Sequence, residues 1–196
     1  MSILMPMAMA ISIEKFEEIK LKYGNMSSWA IWKEKDIKEK SKIGDLSLFE
    51  NITNLKLNPN IIFVGLNISQ KIIKPFGNFH SDSSTSHDYK IRYALENTQY
   101  WGGYMTDIIK DFEEKASGNL MKYINNNQLF LEENIKLFEE ELKFIGSVNP
   151  ILIAFGNDCY KILIKNLKNK YKICKISHYS SSITKEKLRL EIEKII

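Results

Sequence analysis

At 196 residues the chain is long enough for one domain with a well-filled core. Its 44% hydrophobic and 27% charged residues exclude a disordered or fibrous chain. A net charge of +4 excludes a strongly basic nucleic-acid tail, and since Arg92 and Arg189 are the only arginines, charge alone argues weakly for phosphate contacts.

Residues 1–13 are apolar and methionine-rich, lack a basic leader and are too short to cross a membrane; they are expected to pack on the domain or stay mobile. No later stretch approaches membrane length. Apolar residues at Ile13, Phe16, Ile19 and Tyr23, with charges between them, predict a helix over 13–23. Trp29 and Trp32 suggest that residues 1–59 form a helical extension packed as a cover on a domain spanning 60–196. The two together read as one structural domain.

Residues 60–65 (NIIFVG), 104–109 (YMTDII), 151–155 (ILIAF) and 171–176 (YKICKI) read as strands. The first and third are nearly continuous apolar runs, as in strands covered on both faces; the fourth alternates as an edge strand does. Helices are predicted over 132–145, 157–167 and 185–196, with shorter ones over 88–95 and 119–126. Strands alternating with helices predict an α/β fold: a three-layer α/β/α sandwich with a central four-stranded parallel sheet. Cys159 and Cys174 are expected as buried, reduced thiols, which suits the cytoplasm.

The long irregular stretch over 67–87 leaves the C-terminal end of the first strand, where open α/β sheets bind ligands. The same rim receives Gly65-Leu66-Asn67-Ile68-Ser69, then Thr106-Asp107, Gly156-Asn157-Asp158 and Ser177-His178-Tyr179-Ser180. Convergence of polar groups from four separate segments is the strongest functional signal.

In order and spacing, GLNIS at 65–69, YMTDIIK at 104–110, NPILIAFGNDCYKIL at 149–163 and SHYSSS at 177–182 resemble the motifs of the uracil-DNA glycosylase superfamily over residues 60–182. The stretches SSWAIW, NFH, DYKIRYALENT, YMTDIIKD and SHYSS resemble a bacterial branch of it. The resemblance implies a DNA glycosylase that hydrolyses the N-glycosidic bond of a uracil-like or other aberrant base, with DNA as partner, no metal and no cofactor. Branches with an iron–sulfur cluster use four cysteines, and this chain has two. A monomer is the simplest expectation.

Such chemistry must orient a water beneath the sugar, stabilise charge on the leaving base and hold the flipped base against a flat surface. By the resemblance, Asn67 positions the water and His178 stabilises the leaving base. The plainer alternatives are a turn-supporting Asn67 and a His178 satisfied by backbone. Asp107 stands where relatives read the base edge with asparagine; an ionised carboxylate only accepts, which suits an amino group better than uracil, or it bonds nearby backbone. Gly65, Leu66, Ser69 and Ser180 flank these groups as substrate-binding candidates. Phe76 and Phe79 are candidate stacking rings, or loop packing.

Ile68 and Tyr179 replace prolines usual in the family, so those turns are less stiff. His80, Asp82, His87 and Asp88 match no defensible zinc spacing. Lys71, Lys74 and Lys90 are candidates for phosphate or for solvent. The serine run 180–182 is a candidate phosphate site at the last helix N-terminus, or a cap. Two other functions remain open: an inactive nucleic-acid or nucleotide-binding module, and a hydrolase of small N-glycosides.

Overall fold

The computed structural model describes residues 11–110 and 112–195. The expectations for residues 1–10 and for Ile196 lie outside them. Five strands form one mixed sheet, β1 (Ser27–Trp29), β2 (Asn58–Gly65), β3 (Gly103–Asp107), β4 (Ile151–Phe155) and β5 (Lys172–Ile176), in the order β1-β3-β2-β4-β5. The pairs β3–β2, β2–β4 and β4–β5 are parallel, while β1 runs antiparallel along β3.

The expected four-stranded parallel sheet is therefore corrected to five strands, one of them antiparallel. Three residues, Ser-Ser-Trp, are too few to display an alternation, and pairing with β3 creates the strand. Its two hydroxyls are satisfied by the Tyr23 and Phe76 carbonyls, each at 2.8 Å, so polar side chains are tolerated there at full burial.

Six α-helices occur among the described residues, α1 (Ile13–Tyr23), α2 (Tyr89–Leu95), α3 (Ser117–Asn126), α4 (Gln128–Phe144), α5 (Asn157–Leu167) and α6 (Lys185–Glu193), with one short 3₁₀ turn over Ser47–Glu50. Ser12 and Thr184 cap α1 and α6 by accepting from the Lys15 and Lys187 amides. The helix α4 starts earlier than its periodicity predicts, because α3 ends at Asn126 and the new helix inserts Leu131 into the core within its first turn.

Alternating strand residues divide the core. Ile62, Val64, Tyr104, Leu152 and Ala154 face one side with α1, α3, α4 and α5. Ile61, Phe63, Met105, Ile153 and Phe155 face the other with α2 and α6. Helices thus cover both faces of the sheet, and β2 and β4, buried on both, sit beside each other in its middle, as their continuous apolar runs require. Trp29 and Trp32 are both buried. No helix among the described residues is long and apolar enough to cross a membrane.

Candidate functional site

The C-terminal ends of β2 to β5 surround a cleft of about 610 Å³. Its lining includes Gly65, Leu66, Asn67, Ser69, Phe79, Asp107, His178 and Ser180, so the rim predicted from four separate segments does assemble.

Asn67 follows the last residue of β2, and its side-chain amide faces three carbonyls. Its Nδ2 lies 2.8 Å from Ile68 O, 2.9 Å from Phe112 O and 2.8 Å from Glu114 O, so the N–H groups fasten the β2 turn to the segment after β3. That crowd of acceptors assigns the amide orientation. The Oδ1 receives no donor among the described residues. Asn67 is thus both a turn support and a free acceptor at the cleft.

His178 is set by its own loop. The Ser180 backbone N–H, at 3.2 Å, and the Ser180 hydroxyl, at 2.8 Å, both reach its Nδ1. A backbone N–H can only donate, so Nδ1 is the acceptor and the proton sits on Nε2. Burial lowers the imidazole pKa below 6.5, so this is a neutral donor at neutral pH. Nε2 has no partner among the described residues. The ring stacks on Tyr179 at 4.6 Å and 20°.

Asp107 closes the inner end and is only 3% exposed. Its Oδ2 accepts from Asn78 Nδ2 at 2.8 Å. Burial pushes the carboxyl up from 3.8 to about 6; the Asn78 hydrogen bond and the Lys110 charge oppose the rise. Gly65 is what admits it: a Cβ there would lie 2.2 Å from Asp107 Oδ1 and 3.2 Å from the Phe79 ring. Opposite, Gly156 has φ +82, and a Cβ there would lie 3.2 Å from His178 Cβ. Both glycines keep side-chain bulk away from the two chemical groups.

Phe79, Phe155 and Tyr179 form the aromatic wall, with ring centroids of Phe79 5.9 Å from Phe155 and 6.2 Å from Tyr179. Phe76 does not take part. It is fully buried between Phe16 and Phe49, 5.2 Å from each, because its backbone (φ +62) turns it into the core beside α1.

Other candidates are also reassigned. Thr106 neighbours Asp107 on β3, but strand alternation sends its hydroxyl to the opposite face, where it donates to Glu141 at 2.9 Å. His80 is a buried strut, with Nδ1 2.9 Å from Asn78 O, Nε2 3.0 Å from Ile31 O and its ring stacked on Trp32. Asp82 packs over Gly44, His87 stacks on Tyr89, and Asp88 accepts from the Ser81 amide. No group of three or more potential ligands gathers among the described residues. Lys90 is buried and donates to the Ser181 and Ile183 carbonyls, fastening α2 to the loop before α6 instead of facing phosphate. The serine run stops short of α6, whose cap is Thr184. The Cys159 thiol, buried as expected, lies against the Val64 and Gly65 carbonyls and ties α5 to β2, whereas Cys174 is corrected to half-buried because β5 is an edge strand.

Sequence reasoning passed over Asn78 and Phe155. The weak signal for Asn78 was its place between two turn-forming positions of an aromatic loop, and for Phe155 its place just before Gly156. Comparison with models of known protein families, with curated proteins and with solved structures finds no match to this chain.

Proposed function

We propose that this protein is a DNA glycosylase-like N-glycosyl hydrolase that acts on an extruded base in the cleft, with a uracil-DNA glycosylase-like α/β/α sandwich as its scaffold. One observation carries the reading: Asn67 Oδ1, an acceptor, and His178 Nε2–H, a donor, both have no partner among the described residues and belong to one cleft that also has an aromatic wall. The base would lie against Phe79 and Phe155. As the bond from C1′ to the base breaks, the base leaves with the electron pair and His178 donates to the carbonyl oxygen or ring nitrogen on which its negative charge develops. Asn67 holds a water by accepting a hydrogen bond from one of its O–H groups and directs its oxygen toward the oxocarbenium-like carbon. An amide cannot take that proton, which passes to solvent after addition. Two free thiols fit a cytoplasmic setting.

Incubation with single- and double-stranded oligonucleotides carrying deaminated or mismatched bases, followed by alkali, tests this. Scission is expected, falling by about 10²–10³ in His178→Ala. A folded protein that cuts none of them would falsify the DNA glycosylase reading. Salt-dependent binding that survives Asn67→Ala with His178→Ala would then mark a binding module.

A small N-glycoside as substrate is favoured by one feature. Arg92 is engaged by the Lys33, Glu39 and Ser41 carbonyls, and Arg189 by Tyr93 O and Glu193, so neither arginine serves the cleft. Competition by short duplex DNA separates the two substrates.

A further inference from the structure

The inner end of the cleft has an unusual imbalance of donors and acceptors. Asp107 Oδ2 is taken by Asn78, but no donor among the described residues reaches Oδ1, although the residue is 3% exposed. Asn78 cannot redress this. Its Nδ2 donates to Asp107 Oδ2 at 2.8 Å and to Met26 O at 3.1 Å, which uses both of its hydrogens and leaves only an oxygen to offer. The cation that follows β3, Lys110, is held on the other side of the sheet by Glu141 and Thr106. Donor-bearing side chains sit instead on the loop after β5, where His178, with its Nε2–H, and Tyr179, with its hydroxyl, line the same cleft. Burial and the negative charges of Asp88 and Asp107 keep that phenol protonated.

A buried carboxylate with one empty oxygen demands a donor, and a base carbonyl placed there meets repulsion without compensation. We propose that Asp107, held in place by Asn78, reads an exocyclic amino group, so that the cleft selects an amino-bearing base of cytosine or adenine type over its oxo counterpart. The inference rests on the reading that the cleft holds a base. In a cytosine-type base the amino end faces Asp107 while the ring carbonyl beside the glycosidic nitrogen is left for His178. Asp107 is thereby the specificity-determining residue and Asn78 a positioning residue.

Matched ligands that differ in this one group give the test. Affinities of deoxycytidine against deoxyuridine, and of deoxyadenosine against deoxyinosine, are measured by calorimetry at pH 8, where the carboxyl is ionised. The amino member of each pair is expected to bind about 10–100-fold tighter, the worth of one charge-assisted hydrogen bond. Asp107→Asn, which supplies a donor, abolishes or reverses the order; a merely structural role for Asp107 would weaken all four ligands alike. Equal or tighter binding of the oxo members to the unaltered protein overturns the inference, as does an order unchanged in Asp107→Asn or binding of none of the four. Amino preference without strand scission on any oligonucleotide removes the glycosylase reading and leaves this one standing. Scission at uracil without amino preference does the reverse.

Discussion

Two buried carboxylates flank β3 from opposite sides, and their surroundings differ in kind. Glu141, from α4, is fully buried and fully answered: the Tyr104 and Thr106 hydroxyls donate to Oε1 at 2.8 and 2.9 Å, and the Lys110 ammonium donates to Oε2. Asp107 is almost as buried but holds one hydrogen bond and leaves an oxygen empty. A closed network of this sort is part of the packing that holds α4 to the sheet. An incomplete one, at the end of a strand and beside a cleft, is what a ligand completes. The same strand therefore carries a structural carboxylate contact on one face and a recognition group on the other, one residue apart.

The largest effect expected is on the closed side. Glu141→Ala leaves the Lys110 ammonium buried and unpaired, and urea unfolding should show a loss of about 3–5 kcal/mol. A loss comparable to that of a surface variant would show that the two carboxylates are not different after all.

On the open side the sign reverses. A carboxyl raised from 3.8 to about 6 by burial favours its protonated form in the folded state. Its contribution to stability is therefore full below 3.8 and lost as pH rises through about 6. Asp107→Asn does not ionise, so it should stabilise the fold by about 3 kcal/mol at pH 8, with the gain shrinking toward zero as pH falls to about 4. Lys110, Glu141, Cys159 and Tyr179 also face this group electrostatically, so the measurement is the difference between variant and parent across pH. Destabilisation at pH 8 would mean that Asp107 is structural.

Gly65→Ala probes the space between β2 and Asp107. A Cβ 2.2 Å from Oδ1 must displace the carboxyl, so stability should fall by about 1–3 kcal/mol and base discrimination should vanish with it. Retained discrimination would place recognition elsewhere. The smallest effect belongs to the start of α6: Thr184→Ala removes its cap and should cost about 1 kcal/mol in thermal or chemical unfolding, with ligand preference unchanged.

Much of the fold was legible because its signals are local. The helix over Ile13–Tyr23 follows from apolar spacing, the one over Asn157–Leu167 from its place directly after an apolar strand, and β2 and β4 from apolar runs that suit a strand covered on both faces. The rim was legible for the same reason: parallel strands deliver their C-terminal ends to one side, which brings Asn67, Asp107 and His178 to one cleft. Phe76 and Phe79 show where that logic stops. They lie three residues apart in one irregular loop, both at positive φ, and one enters the core while the other lines the cleft. No periodicity governs such a loop, so neither ring's direction could be read from spacing.

The sequence by itself determined the order of strands and helices, the apolar faces they bury and the set of polar residues carried to the strand ends, because backbone geometry repeats every few residues. Tertiary structure alone decided that Ser27–Trp29 becomes a strand, since only β3 supplies its partner groups. It also decided that Thr106 and Asp107 part company across the sheet, and that Ser180 puts the His178 proton on Nε2. Above all it decided that Asn78, far along the chain from Asp107, uses up its donors there. Each of these depends on which donor finds which acceptor across the fold, and hydrogen bonds between distant segments leave no pattern in the chain that makes them.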